Sequence, residues 1–528
     1  MRPRWSALAL APLLSLSACA DDHFPSDLAG SPQAGALVRP DTPGNNLQFR
    51  FDPGDVVETF PSPGGNFLVH FARTGANAVP ATDNDASGVP DFVEQVANIY
   101  DAVGAFYVSL GFKVPPSDAS VADNGGDGRF DVYLVDFAGV GDGTFQVDEC
   151  PQGDQCIGYM VEENDYAGYG YPSTLIANRI LASHEYFHAV QAGYDHDQGS
   201  VLAEGTAVWA TETFDPSLND FEAFLDGYMD NVDRPIDEPL PGPVDPFSYG
   251  AAIFFEFLHE AYGPTMVRSL WEACENGANG VADPYWLDVL EPTLETVAAV
   301  TFAEAFTDFA RWNLYTGSLA DPEIAYARGS AYPKPKTETI TLPHQDDSLR
   351  LYRASSQYFS ADPAGRVEMT AALVPTALSP DGTDGVKLIL AAQAGQNLSV
   401  KVVDDVSAGA ETLATTGVSK FFVVAVNTNV IGESKKPGLC VGTPSEVTSC
   451  VAALTNNEGG GGAGGGGAGG GDAGGAGGAG GGANPDDGGD GDGCGCAVPS
   501  SNAPPGLAFA FAILGGAALF ARRRSRRA

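Results

Sequence analysis

From Thr174 to Ala192 the chain runs without Pro or Gly, and Leu175, Ile176, Ile180, Leu181, Phe187 and Val190 recur at helical spacing. Inside that stretch stands His184-Glu185-Tyr186-Phe187-His188, which constrains the fold more than any other feature. Residues four apart on an α-helix lie one turn above each other on the same face, so His184 and His188 present two imidazoles to one ion. Glu185, about 100° further round the helix, reaches the edge of that site without being a ligand. Two neutral nitrogen donors beside a carboxylate able to take a proton from water form the arrangement of a zinc hydrolase. The plain alternative is a buried helix whose histidines are satisfied by neighbours.

A catalytic zinc takes a third protein ligand and leaves its fourth position open. Val201 to Glu212 reads as a second helix, and packed against the first it offers Glu204. Asp195 and Asp197, just past the first helix, are the alternative ligands. HEYFHAVQ followed by LAEGTAVWATE resembles the gluzincin metallopeptidases, and most of all secreted metalloproteases of gliding bacteria. The resemblance covers roughly Asp83 to Gly263 and is strongest across the two helices. It implies a zincin-like fold, zinc held by His184, His188 and Glu204, and Glu185 as general base. It also implies a tyrosine on a following apolar helix as oxyanion stabiliser; Tyr249, opening Ser248–Leu258, is the candidate. Two departures stand out. The gap between His188 and Glu204 is a few residues shorter than in the thermolysin-like and aminopeptidase groups. Val208 occupies the place of a thermolysin-like aspartate, so the ligands must be oriented from elsewhere. A metzincin arrangement fails, because its third histidine would fall at Tyr194.

The 528-residue chain has room for two or three domains. A formal charge of −41 excludes a nucleic-acid partner, whose phosphates it would repel. Arg2 and Arg4 precede the apolar run Ala7 to Leu16 and then Leu16-Ser17-Ala18-Cys19, a secretory signal that resembles a bacterial lipobox. At the other end, Glu458 leads into a Gly-rich run to Gly493, too poor in apolar side chains to fold. Cys494-Gly495-Cys496, the apolar Gly506 to Ala521 and the arginines from Arg522 to Arg527 follow. This tail resembles the MYXO-CTERM sorting signal. It implies export, handling by a membrane anchoring machinery and attachment at the cell surface; a simple transmembrane anchor is the alternative. The other cysteines fit an oxidising compartment: Cys150 with Cys156 and Cys440 with Cys450 each bracket a loop that a disulfide could close, and Cys274 is left as a buried thiol.

Beyond a Pro-rich lead the folded part is expected from near Leu47. Counted from Asp83, the oxygen-bearing residues Asp83, Asp85, Ser87, Asp91 and Glu94 fall at EF-hand spacing with Gly88 at the turn. They are a candidate calcium loop, the alternative being an Asp/Gly-rich turn that caps a helix from Phe92 to Leu110. Asn66–Phe71 and Asp131–Phe137 read as strands. The run Asn164 to Tyr171 is either a cleft wall or packed aromatics. From Pro333 short β-rich runs at 339–342, 386–390, 398–403 and 421–426 alternate with Gly, Asp and Pro, a β-sandwich pattern.

The expectation is therefore an α+β protein: signal 1–18, linker 19–46, metallopeptidase domain 47–332, β-sandwich 333–456, Gly-rich linker 457–493 and sorting tail 494–528. It would be an exported zinc peptidase acting on protein or peptide substrates, with calcium as a second cofactor. The rival from another class is an inactive zincin-fold adhesin working through its β-domain.

Overall fold

The computed structural model describes residues 38–241, 245–376 and 379–455, and the backbone of 494–496. The signal, Cys19, most of the 19–46 linker, the Gly-rich run and the tail beyond Cys496 lie outside the described residues. The protein is a mixed α+β structure. Among the described residues no helix is long and apolar enough to cross a membrane.

The first sheet is built from β1 (Val57–Pro61), β2 (Phe67–Ala72), β3 (Phe130–Val135), β4 (Gly143–Gln152) and β5 (Gln155–Glu163), with a three-residue strand β15 (Cys494–Cys496) on its edge. The order is β1-β2-β3-β5-β4-β15, with β2, β3 and β5 parallel, β1 and β4 antiparallel to them, and β15 antiparallel to its neighbour β4. Alternation sorts its side chains. Val132, Leu134 and Met160 face α1 (Asp91–Ser109) and α2 (Thr174–Ala192), whereas Tyr133, Val135, Tyr159 and Val161 face the other way. That second face is closed by the N-terminal segment. Phe51 packs on it, and Arg39, 1 % exposed, inserts its guanidinium among Asp118, Asp131 and Asp148 at 2.6–2.9 Å. The ordered part thus begins before Leu47, inside what reads as a lead.

Helix α2 is buried nearly all round from Ala177 to Ala192, as expected of a helix sandwiched between layers. Ser173 caps it, its hydroxyl accepting from the Ile176 N–H. Helix α3 (Ser200–Phe214) packs along it, followed by the short α4 (Phe221–Phe224), α5 (Asp226–Met229) and α6 (Pro246–Gly250). The apolar run expected as one helix from Ser248 is divided at Ala251, where α6 ends and α7 (Ala252–Tyr262) begins; Gly263, at φ 100°, ends it. Helices α8 (Met266–Cys274), α9 (Trp286–Ala298) and α10 (Phe302–Trp312) complete this part.

After residue 333 come two antiparallel-rich sheets. One orders β11 (Asn397–Val403), β10 (Val386–Ala394), β13 (Lys420–Asn427), β8 (Ser355–Ala361) and β6 (Thr337–Thr339); the other orders β12 (Glu411–Ala414), β9 (Glu368–Val374), β14 (Gly438–Gly442) and β7 (His344–Asp346). Leu388, Leu390, Phe421 and Val423 of the first share a core with Met369, Leu373 and Val441 of the second. The opposite face of the larger sheet, with Tyr358, Ile389, Ala391, Phe422, Val424 and Val426, joins the same core as α7 and α10, and the Tyr358 hydroxyl donates to Ala310 O at 3.0 Å. A last helix, α11 (Pro444–Thr455), lies against β9 and β14. Disulfides join Cys150 to Cys156 and Cys440 to Cys450, while Cys274 is free and buried.

Candidate metal centre

The helical spacing of His184 and His188 holds: both lie on α2, their rings 5.0 Å apart. Glu204 projects from the first turn and a half of α3. Its Oε2 lies 3.3 Å from His184 Nε2 and 3.5 Å from His188 Nε2. One donor atom from each of the three lies within 4.8 Å of the others. Asp195 and Asp197 do not join them. They gather instead with Asp154, and the Asp195 carboxylate accepts from Gln198 Nε2 and the Asp197 N–H. Tyr194 is buried, its hydroxyl accepting from the Lys113 N–H.

The three donors fit a divalent cation. His188 Nε2 is buried and makes no hydrogen bond. Burial pulls the His188 imidazole down, yet the Glu204 carboxylate overrides this and raises it to about 9. Burial likewise pushes Glu204 up, and the two imidazoles overcome that to hold it well below the ordinary carboxylate range. A dication binding there would compete with protons for these donors. The surroundings add negative charge: burial pushes Asp142 and Asp220 each up to about 6, and each feels His184.

Glu185 stands beside this cluster, fully buried. Its Oε2 accepts the Phe145 N–H of β4 at 3.2 Å, and its Oε1 has no hydrogen-bond partner. The strand comes this close because residue 143 is Gly: a Cβ there would meet Leu181 Cδ1 at 2.7 Å and Glu185 Cγ at 3.3 Å. Tyr249, on α6, lays its ring parallel to that of His184 at 5.9 Å and against Phe224 at 5.2 Å. A small cavity lined by Phe145, His196, Ala203 and Trp271 opens beside His188 and Glu204.

Near Glu185 lies Glu162, fully buried on β5, with the Tyr100 hydroxyl donating to its Oε1 at 2.5 Å. Burial, and then the Glu185 and Asp142 charges, push it up to about 8. Between its ordinary pKa near 4.5 and about 8 the unfolded chain carries the charge while the folded chain keeps the proton, so stability falls as pH rises through that window. Glu162→Gln, whose carbonyl still accepts from Tyr100, is expected to melt higher than the parent at pH 8. The gain, on the order of 2–4 kcal/mol, should vanish near pH 4, as thermal unfolding at the two pH values would read.

In the Asp83 loop, carboxylate oxygens of Asp83, Asp85 and Asp91 converge within 4.8 Å, all on exposed or half-exposed side chains. The Ser87 and Gly88 N–H groups donate to Asp83, and the Asn84 N–H to Asp91. Ser87 turns its hydroxyl to Val89, and Glu94 lies in the first turn of α1 outside the group. The tyrosine run is packed: Tyr166 is buried against Phe92, Tyr169 and Tyr171. Two contributors had no place in the sequence reading. The Phe145 amide is backbone and leaves no residue signal. Gln191, whose Oε1 lies 2.8 Å from His188 Nδ1, had one: it is a polar residue three past His188 on the same helix face.

No family model matches the chain, and no curated protein matches it.

Proposed function

We infer that this protein is an exported, cell-surface zinc peptidase of zincin-like fold with a β-sandwich appended. The observation that supports the reading is the meeting of His184, His188 and Glu204 donors next to a buried carboxylate, Glu185, whose Oε1 is left without a hydrogen bond. A structural metal has no need of such a neighbour. The zinc, when bound, supplies the Lewis acid that polarises the scissile carbonyl and acidifies water. Glu185 accepts the proton of the attacking water and returns it to the leaving amine, its carboxylate steadied by the Phe145 amide. Tyr249, whose ring lies alongside that of His184, would donate its phenol hydrogen to the developing oxyanion. Export and surface attachment rest on the two terminal segments of the sequence. Convergence of the Asp83, Asp85 and Asp91 carboxylates supports calcium as a second cofactor.

The purified chain is expected to hold about one equivalent of zinc. His188→Ala should lose it, and Glu204→Gln should weaken it, because a neutral amide is a poor zinc ligand. Elemental analysis after dialysis reads both. Full occupancy in His188→Ala overturns the assignment, and loss in Asp195→Asn rather than Glu204→Gln moves the third ligand.

A further inference from the structure

We propose that Gln191 is the positioning residue of the metal centre, fixing the tautomer of His188 and the placement of Glu204 at once. The inference rests on the zinc reading above. Gln191 is 4 % exposed, and every polar atom of its amide is committed. Nε2 donates to Ala203 O at 2.8 Å and to Thr206 Oγ1 at 3.0 Å. Ala203 O is a carbonyl that only accepts, so the nitrogen end must face it and the oxygen end must face His188. Thr206 agrees with this direction, since its single hydroxyl hydrogen goes to Leu202 O at 2.7 Å. The Thr206 oxygen is thus left to accept from Gln191 and from Trp271 Nε1, the latter at 3.2 Å.

The consequence for the imidazole follows. An amide oxygen cannot donate, so His188 Nδ1 carries a hydrogen and gives it to Gln191 Oε1. Nε2 is then the nitrogen turned toward a metal, and it is the one buried without a hydrogen bond. The other end of the same amide grips the residue immediately before Glu204. One side chain of α2 therefore sets a ligand on its own helix and the register of the helix bearing the third ligand, with Thr206 and Trp271 holding it from behind. Val208 offers no polar atom for this, and Gln191 takes over from the opposite helix. An amide also leaves His188 a less basic ligand than a carboxylate partner would.

The test is zinc affinity, measured by chelator competition on the full chain, with thermal unfolding of the metal-free protein in parallel. Gln191→Leu is expected to weaken zinc binding about 10- to 100-fold. Gln191→Glu keeps an acceptor oxygen for His188 while losing both donors, and is expected to lose less than Gln191→Leu. It also serves if the leucine variant does not fold: affinity within about 10-fold of the parent is then the expected result. A leucine variant that binds zinc like the parent, merely melting lower, would show a packing role only and overturn the proposal. Equal losses in the two variants would overturn the tautomer argument. A parent that binds no zinc would remove the metal-centre reading itself, and this inference with it.

Discussion

In Glu185→Gln, peptide hydrolysis is expected to fall by roughly 10²–10⁴-fold, the range for a general acid–base group, with zinc still bound. Gln has nearly the shape of Glu, and its carbonyl can keep the hydrogen bond from the Phe145 amide. What it cannot do is take a proton at the atom that now lacks a partner. Zinc content and turnover of unfolded casein, measured on the same preparation, separate the outcomes. Loss of zinc would make Glu185 a ligand. Unchanged hydrolysis would place the chemistry elsewhere. A parent that holds zinc yet cuts nothing across a broad peptide library would favour the surface adhesin over the enzyme.

Arg39→Met is expected to destabilise the fold by about 3–5 kcal/mol, the cost of removing one partner from a buried ion pair. Its guanidinium bridges Asp131, Asp118 and Asp148 and lies 4.6 Å from the centre of the Tyr159 ring. Asp131 in turn accepts from His70 at 2.7 Å. Even with Arg39 in place, burial pushes Asp148 up to about 7. Without it the three carboxyls rise further, so each disfavours folding at pH values where the unfolded chain would ionise it. The deficit should grow as the pH rises through neutrality and shrink as it falls toward 4. Arg39→Lys should recover little, since an ammonium cannot reproduce the planar fork. Denaturant unfolding at pH 7 and pH 5 measures both effects; an equal deficit at the two values would mean lost packing rather than stranded charge.

The two helices of the centre were legible because periodicity and ligand spacing are local properties: the segment Thr174–Ala192 is helical to its ends. The disulfides were legible because their loops are short. Glu204 is legible as soon as the two successive helices are taken to pack on each other. Arg39 was hidden, since its partners lie 79, 92 and 109 residues away, and a lone arginine in a Pro-rich lead reads as solvated. The EF-hand-like spacing was plain, yet spacing alone does not bring Glu94 to the loop: it lies in the first turn of α1, outside the group of Asp83, Asp85 and Asp91. Gln191 was visible as a letter but its two directions of hydrogen bonding exist only once α3 is in place.

The change of composition at residue 333 marks a seam in the text of the chain that does not exist in its energetics. The wall formed by Tyr358, Ile389, Phe422 and Val424 closes over the helices that carry Phe254, Phe306 and Phe309. A fragment cut at that seam would keep His184, His188 and Glu204 and still present an open apolar surface, a prescription for aggregation. The helical unit is therefore not portable. Trading its β-region for a foreign one would require rebuilding the wall first, and the two parts should be inherited and lost together.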